Sequence, residues 1–332
     1  MTSQKHSETK EVHIIAITEA KPKNARFPMH PADYKLDGYQ TFSRNLTGHE
    51  GRGIILYAQD WMDVKEVHLM MDYQESLWVE VKTGKKGGKL LCGIVYRSPS
   101  QQTEEKLKLL IQLIQQATDK KQQVLIMGDF NFPHIDWNTW TPRHHGQAER
   151  EFLTTCMDGL LTQHVREPTR GRFGQNPNIL DLVFTQGEEE LGEIEFLSPL
   201  GKSDHVCMLF NFLCPMSREP VTRKVFLYDK ADYEKLRQLD WATASEGRDT
   251  EEDYKTLCKT YEERCNKHIP QKIFAAGERR KKPGVTSEVA KIIKKKHRCW
   301  TRFMETRTEE KYKEYTRARN NKNFGTKSHT GA

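Results

Sequence analysis

The sequence lacks several features that mark common protein classes. It has seven cysteines but no Cys-x-x-Cys pair, and an odd number leaves at least one thiol outside any disulfide framework. No apolar run approaches the roughly 20 residues that span a bilayer. The first ten residues are polar and carry no apolar signal-peptide core. The spacing of Cys258, Cys265, His268 and Cys299 matches no zinc pattern. We therefore expect an intracellular protein with reduced thiols and no membrane partner.

The charge of the chain is unevenly distributed. The 332 residues include 53 Lys+Arg and 46 Asp+Glu, for a net charge of +7. Residues 271–327 hold 18 basic and 6 acidic residues, a net of +12, so the remainder carries −5. A basic tail is typical of a solvated or disordered segment. It also attracts nucleic acid, because neutralising phosphates releases their counterions.

Hydrophobic periodicity predicts an α/β body followed by a charged helical region. An amphipathic helix begins after Thr103, and a second helix is predicted over residues 147–161. The composition changes near Pro215, and residues 289–315 are predicted to form one long basic helix with few apolar anchors. The predicted strands of the body cover residues 12–18, 53–58, 77–81, 90–96, 124–127, 179–185 and 206–212.

The run Val-Leu-Ile-Met-Gly-Asp-Phe-Asn in the middle of the body points to chemistry. Its apolar half predicts a buried strand, and Gly128 allows the backbone to turn tightly. Asp129 and Asn131 lie two residues apart, so both side chains can leave the strand end on one side. A carboxylate and a carboxamide there suit a hard metal ion and a phosphate oxygen. Taken alone, the run is equally compatible with an ordinary strand that ends in an Asp/Asn turn.

Further polar clusters are predicted at strand ends, namely Glu19, Tyr96-Arg97, Asp181 and Ser203-Asp204-His205. Each has a purely structural interpretation, such as a surface carboxylate or a turn histidine. Together they fit phosphodiester hydrolysis, which needs a divalent ion on few carboxylates, donors for the phosphate and a group that orients water. Asp181 is the most telling, because a carboxylate inside an apolar strand needs a partner, which His205 can supply.

The strings ITEAKP, GRGIILY, GIVYRSPS, VLIMGDFNFPHIDW, VREPTRG, ILDLVFT and SDHVCMLF occur in this order over residues 11–212. They resemble the endonuclease/exonuclease/phosphatase superfamily, and most of all the apurinic-type endonuclease domain of jockey-like non-LTR retrotransposons. The resemblance implies a four-layer α/β sandwich, in which two packed, mostly antiparallel sheets are flanked by helices. It places this domain at residues 11–213. Residues 214–332 are then a charged, mainly helical and partly disordered connector.

The resemblance also implies a metal site and phosphate contacts. Glu19 matches the metal-binding glutamate, and Asp204 matches an aspartate near the metal. Thr169 and Ser203 match positions that contact phosphate. The expected cofactor is Mg²⁺, with Mn²⁺ as a substitute, and no small-molecule cofactor is expected.

Five positions match the catalytic group of the superfamily. Tyr96 matches the tyrosine near the scissile phosphate. Asp129 matches the aspartate that activates or orients the attacking water, and Asn131 its phosphate-contacting partner. Asp181 matches the aspartate that orients the catalytic histidine, His205. The implied activity is magnesium-dependent nicking of DNA, which leaves a 3′ hydroxyl to prime reverse transcription. The implied partners are DNA and, through the basic region, element RNA, and the parent element is expected to act in the nucleus.

One departure from the family pattern leaves other functions open. Family members open with a central strand that carries an asparagine near the metal, twenty or more residues before the glutamate. Here the glutamate is already residue 19, so the predicted domain is N-terminally incomplete and we expect unpaired ladder groups and exposed apolar surface. The alternatives are a catalytically impaired retroelement remnant that only binds nucleic acid, or a phosphoesterase of the same fold that acts on small phosphoesters.

Overall fold

The computed structural model describes residues 12–21, 29–46, 52–84, 88–99, 102–119, 122–144, 146–171, 173–174, 176–214, 222–237, 250–275 and 287–320. The strands are β1 (Ile14–Thr18), β2 (Tyr39–Arg44), β3 (Ile54–Gln59), β4 (Val64–Glu66), β5 (Ser76–Thr83), β6 (Gly88–Tyr96), β7 (Gln123–Asp129), β8 (Ile135–Asp136), β9 (Thr141–Pro142), β10 (Thr162–Gln163), β11 (Asp181–Thr185), β12 (Glu195–Leu197), β13 (Cys207–Leu209), β14 (Thr222–Phe226) and β15 (Gln271–Ala275). The helices are α1 (Glu104–Thr118), α2 (Gln147–Asp158), α3 (Tyr233–Arg237), α4 (Thr250–His268), α5 (Ser287–Thr306) and α6 (Glu309–Arg319).

The larger sheet of the described residues has the order β10-β11-β7-β6-β5-β4. Its pairs are antiparallel except β6 and β7, which are parallel and are joined by the crossover helix α1. Thr103 caps α1 by accepting a hydrogen bond from the Lys106 N–H at 3.3 Å, and Glu104 and Glu105 in the first turn complement the helix dipole. The crossover brings the ends of β6 and β7 to the same edge of the sheet.

Helices α1 and α2 cover one face of the larger sheet through an aromatic-rich core. Phe132 stacks on Phe152 of α2 with ring centroids 4.3 Å apart, and Phe130 meets Phe184 of β11 edge to face at 5.5 Å. These rings are buried completely or nearly so. Because Phe130 and Phe132 flank Asn131, this packing holds the chain on both sides of a predicted site residue.

A second, smaller sheet of order β1-β3-β2 packs on the opposite face of the larger one. Ile54, Leu56 and Ala58 of β3 share one buried cluster with Leu77 and Val79 of β5. This arrangement of two packed sheets with flanking helices confirms the predicted α/β class. On the outer face of the smaller sheet, the helical structure among the described residues is a single 3₁₀ turn, Pro31–Tyr34.

Strands β1 and β13 lie at sheet edges. Among the described residues, β1 pairs with β3 and β13 pairs with β12, and no further strand lies on their second edges. An edge strand of this kind leaves part of its backbone N–H and C=O groups without sheet partners.

Contacts divide the chain into two units, residues 1–217 with 283–332, and residues 218–282. The second unit contains the antiparallel pair β14–β15 with α3 and α4, and Cys265 and Ile269 are buried within it. The first unit contains both sheets together with α5 and α6. The terminal helices therefore group with the body, although they follow the predicted boundary at residue 213.

The prediction of one long helix over residues 289–315 was wrong. Arg307 has a left-handed φ of 52°, which ends α5, and Thr308 then caps α6 by accepting a hydrogen bond from the Lys311 N–H at 3.4 Å. Glu309 and Glu310 in the first turn of α6 favour a helix start. The break lets the two helices fold against each other, with Trp300 meeting Tyr315 at 4.9 Å between ring centroids.

The helical hairpin α5–α6 has a core that includes part of the body. Trp300, Phe303 and Tyr315 are each at most 3% exposed, and they share a cluster with Val206. Two hydrogen bonds support this docking. The Ser198 N–H donates to the His297 ring, and the Lys296 ammonium donates to the Pro199 carbonyl. No helix among the described residues is both long and apolar enough to cross a membrane.

Candidate active site

The predicted site residues of the larger sheet lie side by side at one edge. Tyr96 ends β6 and Asp129 ends β7, and the parallel register pairs these two positions. Asp181 begins β11 and is the antiparallel partner of Asp129. Glu19 directly follows β1 of the smaller sheet, and its Oε1 accepts a 2.5 Å hydrogen bond from the Tyr96 hydroxyl. The two packed sheets thus bring four predicted side chains to one rim.

Asp129, Asp181 and His205 form the tightest cluster at this rim. One ligand atom from each lies within 4.8 Å of the other two. The His205 Nδ1 donates to the Asp181 Oδ2 at 2.8 Å. Asp129 is 3% exposed, whereas the side chains of His205 and Asp181 are 23% and 13% exposed. The pairing predicted for Asp181 and His205 is therefore the arrangement found.

Burial and mutual charge control protonation in this cluster. Burial is the main cause that raises the pKa of Asp129 to about 8, and the neighbouring charge of Asp181 adds to it. For His205, burial lowers the pKa, but the hydrogen bond and charge of Asp181 outweigh it and raise the value to about 9. Burial, followed by the hydrogen bond to Glu19, raises the pKa of Tyr96. The site thus concentrates negative charge that a proton or a cation can neutralise.

Asn131 is held by a buried arginine. It has a left-handed φ of 49°, which asparagine tolerates better than most residues, and its N–H donates to the Asp129 Oδ1 at 3.2 Å. Its Nδ2 donates to the Arg97 carbonyl, and an Arg97 Nη1 donates to the Asn131 carbonyl, both at 2.8 Å. The Arg97 guanidinium also lies 4.0 Å from the centroid of Phe132. Arg97 therefore fixes the backbone and side chain of Asn131 together.

Gly128 is required where β7 approaches β6. Its φ is 145°, and a Cβ built at this position would lie 1.9 Å from the Val95 carbonyl oxygen. A side chain would therefore force the two strands apart. The glycine lets the Asp129 carbonyl accept a hydrogen bond from the Arg97 N–H at 2.8 Å.

The predicted phosphate contacts lie beside the cluster and hold its backbone. Thr169 is fully buried, and its Oγ1 accepts hydrogen bonds from the N–H groups of Leu180 and Asp181 at 3.1 and 3.0 Å. The Ser203 Oγ accepts from the His205 N–H at 3.1 Å. Both hydroxyls thus position cluster residues, and their assignment to phosphate stays a prediction.

The two predicted metal ligands do not lie in the three-residue cluster. The Asp204 Oδ2 forms an ion pair with the Arg170 Nε at 3.0 Å. The Glu19 carboxylate bonds to Tyr96, and the Arg52 Nη2 lies 3.9 Å from its Oε2. Glu19 is still close enough for its charge to contribute to the raised pKa of Asp129. Their roles as metal ligands also stay predictions.

Residues 90–209 match the family model described as endonuclease-reverse transcriptase. The resemblance predicted from the sequence is confirmed for this segment. The chain is similar to the endonuclease domain of TRAS1, a telomere-specific non-LTR retrotransposon, at 16% identity over 60% of this chain and 85% of that chain, with a TM-score of 0.45. It is also similar to the 3′ phosphatase NExo from Neisseria bound to a product DNA hairpin, at 16% identity over 60% and 88%, with a TM-score of 0.44. A third similar structure is the catalytic domain of Xenopus laevis APE2, at 12% identity over 63% of this chain and 86% of that chain, with a TM-score of 0.43. No curated protein matches the chain.

The donor set at this rim fits a hard divalent cation. Asp129 and Asp181 bring two carboxylates together at a buried rim, and Glu19 supplies a third carboxylate nearby. Carboxylate oxygens suit Mg²⁺ and Mn²⁺, whereas zinc sites favour sulfur and nitrogen. The Nδ1 of His205 is already engaged by Asp181, so this imidazole nitrogen is not a free ligand. The oxygen donors are therefore the groups that could hold a metal.

Sequence reasoning did not assign roles to two arginines that contact predicted site residues. Arg97 follows Tyr96 in the string GIVYRSPS, and Arg170 lies in VREPTRG. Both strings were noted in the sequence, but the sequence did not indicate which residues the two arginines contact. Their partners, Asn131 and Asp204, lie 34 positions away in each case. Local pattern does not reveal such contacts, because they form only when strand ends meet.

Proposed function

We propose that this protein is a magnesium-dependent endonuclease of a non-LTR retroelement that nicks DNA by phosphodiester hydrolysis. The observation that carries the proposal is the partly buried cluster of Asp129, Asp181 and His205, with Asn131 and Tyr96 at the same rim. The family match over residues 90–209 supports the retroelement context. Such an enzyme would act on chromosomal DNA, so we propose a nuclear site of action.

The charges of the cluster suggest a division of labour. The imidazolium of His205, oriented by Asp181, is placed to donate to the scissile phosphate, and Asn131 and Tyr96 supply further polar groups. Asp129 is the group that orients or deprotonates the attacking water. Bound Mg²⁺ would polarise the phosphoryl oxygens; Glu19 and Asp204 are the residues proposed to hold it, and Asp129 is a further oxygen donor at the same rim. Mn²⁺ has similar ligand preferences and should substitute.

Nicking of supercoiled plasmid tests the proposal. We expect conversion to open circles in Mg²⁺ or Mn²⁺ and none in EDTA. Asp129→Asn and His205→Ala should each lower the rate at least about a hundredfold, since they remove a water-orienting or charge-stabilising group. Asp158→Asn, which removes a carboxylate from the exposed end of α2, is the matched control. Folded wild-type protein that leaves plasmid intact in Mg²⁺ would refute the function.

A catalytically impaired remnant that only binds nucleic acid is the second candidate. The contacts of the two predicted metal ligands favour it, because the Asp204 carboxylate pairs with Arg170 and the Glu19 carboxylate accepts a hydrogen bond from Tyr96. It predicts binding of DNA without nicking, and equal binding by wild type and Asp129→Ala. The third candidate is a phosphoesterase of the same fold that acts on small phosphoesters, and it predicts release of phosphate from such substrates.

A further inference from the structure

Helix α5 carries five of its six basic residues on the face opposite the one that docks. Trp300 and Phe303 are buried against the body. Five basic side chains of the same helix are exposed, and we call them the basic stripe: Lys291, Lys294, Lys295, Arg298 and Arg302. Their spacing of i, i+3, i+4, i+7 and i+11 places them along one side of a helix. The basic charge of this helix is therefore displayed on an ordered surface.

The helix that carries the stripe is anchored beside the candidate active site. Val206, which directly follows His205, packs in one cluster with Trp300. The Ser198 N–H donates to the Nδ1 of His297 at 3.3 Å, and the Lys296 Nζ donates to the Pro199 carbonyl at 2.8 Å. These contacts attach α5 to the segment that leads into Ser203-Asp204-His205. A nucleic acid bound at His205 thus lies beside the helix.

Most of the positive charge of α5 has no ion-pair partner within the described part of the chain. Residues 287–306 contain six basic and two acidic residues. No ion pair involving the basic stripe occurs among the described residues. In α6, by contrast, Lys311 pairs with Glu314 at 2.8 Å and Lys313 with Glu309 at 2.7 Å. The hydrogen bond from Lys311 is the main cause that lowers the pKa of Glu314, and the charge of Arg302 at the end of the stripe contributes to this lowering. The two helices of one hairpin therefore differ, because the lysines of α6 are paired whereas the basic stripe of α5 forms no ion pair within the described residues.

We propose that the basic stripe binds the sugar-phosphate backbone of duplex DNA beside the nicking site. This inference rests on the proposed function, because it takes the partner to be the DNA that is cut. Eleven residue steps of helix span about 16 Å, which is the axial length of about five phosphates of one strand. Duplex DNA is the favoured partner because its regularly spaced phosphates complement the positive charges of the basic stripe. The duplex that is cut can make this contact itself, so no additional partner molecule is needed.

The test measures binding of a 30-base-pair duplex in EDTA, where no cutting occurs, as a function of salt. The variant Lys291→Gln/Lys294→Gln/Arg298→Gln keeps good helix formers on an exposed face. Lys255→Gln/Lys259→Gln/Lys267→Gln removes three charges from exposed positions of α4 in the second unit and is the matched control. Each lost phosphate contact lowers the log–log salt slope by about 0.9. We expect the slope to fall by about 2 to 3 in the stripe variant, with at least about tenfold weaker binding at low salt, and to be unchanged in the control.

Several outcomes separate this inference from the proposed function. Equal slopes for the stripe variant and the control would overturn it, as would a loss confined to an RNA hairpin probe. The double variant Lys294→Gln/Arg298→Gln should lower the slope by about 1 to 2, and it serves if circular dichroism shows that the triple variant is unfolded. If wild type does not nick plasmid but the stripe variants lose duplex binding, the proposed nicking activity is rejected and DNA binding by the basic stripe is retained. Nicking with unaltered duplex binding in the variants would reject the surface alone.

Discussion

In the metal-free protein, the substitution Asp129→Asn should increase the free energy of unfolding relative to wild type, and this increase should grow as the pH rises. The carboxyl of Asp129 is 3% exposed and faces Asp181, and its pKa is raised to about 8, against about 3.9 for an unfolded aspartate. Between these values the native state holds a proton that the unfolded state has lost. Stability therefore falls with increasing pH across this window, and the cost is absent below about pH 4 and complete above about pH 8. The Asn side chain removes this titration and can still accept the Asn131 N–H.

The magnitude follows from the width of the window. The slope cannot exceed about 1.4 kcal/mol per pH unit, so three units from pH 5 to pH 8 allow at most about 4 kcal/mol. We expect about 2 kcal/mol, because relaxation and water entry raise the effective dielectric constant of buried sites. In EDTA, the difference in the free energy of unfolding between Asp129→Asn and wild type should therefore increase by about 2 kcal/mol from pH 5 to pH 8.

Urea unfolding at pH 5, 6, 7 and 8 measures this difference directly. The exposed Asp158→Asn variant should show a gap that does not change with pH. Addition of Mg²⁺ at pH 8 should stabilise wild type by mass action and Asp129→Asn much less. A gap that is constant or that narrows from pH 5 to pH 8 would refute the argument that Asp129 is crowded by burial and by Asp181.

Three further substitutions test other parts of the structure. Gly128→Ala should lower the free energy of unfolding by at least about 2 kcal/mol in urea titrations, because its Cβ would meet the Val95 carbonyl, and a smaller loss would mean that the strands can separate there. Arg97→Lys keeps the charge but loses the Nη1 hydrogen bond to the Asn131 carbonyl and the planar contact with Phe132, so the nicking rate should fall about tenfold or more with the protein still folded. An unchanged rate would contradict the positioning role of Arg97. Trp300→Ala should destabilise the docked hairpin by about 3 to 5 kcal/mol and speed amide exchange in α5, whereas unchanged protection would show that α5 does not depend on this anchor.

Local pattern predicted most elements of the body because each carries its own signal. Strands β6 and β7 appear in the sequence as apolar runs that end in Tyr96 and Asp129, and β11 appears as an apolar run that starts at Asp181. Helix α1 shows helical spacing behind a Thr cap. The pairing of Asp181 with His205 was also predictable, because an acid in an apolar strand needs a partner. The break between α5 and α6 was not predicted, because the helical periodicity of the charged residues continues across Arg307.

The sequence by itself determined the element types, the order of the chemical groups along the chain and the family to which residues 90–209 are matched. Only the tertiary structure decided that Arg97 holds Asn131, that Arg170 takes up Asp204, and that the hairpin α5–α6 docks beside His205. The physical reason is the range of the interactions. Propensity and periodicity act over a few residues, whereas these contacts join positions dozens of residues apart and arise when sheet edges and helix faces pack.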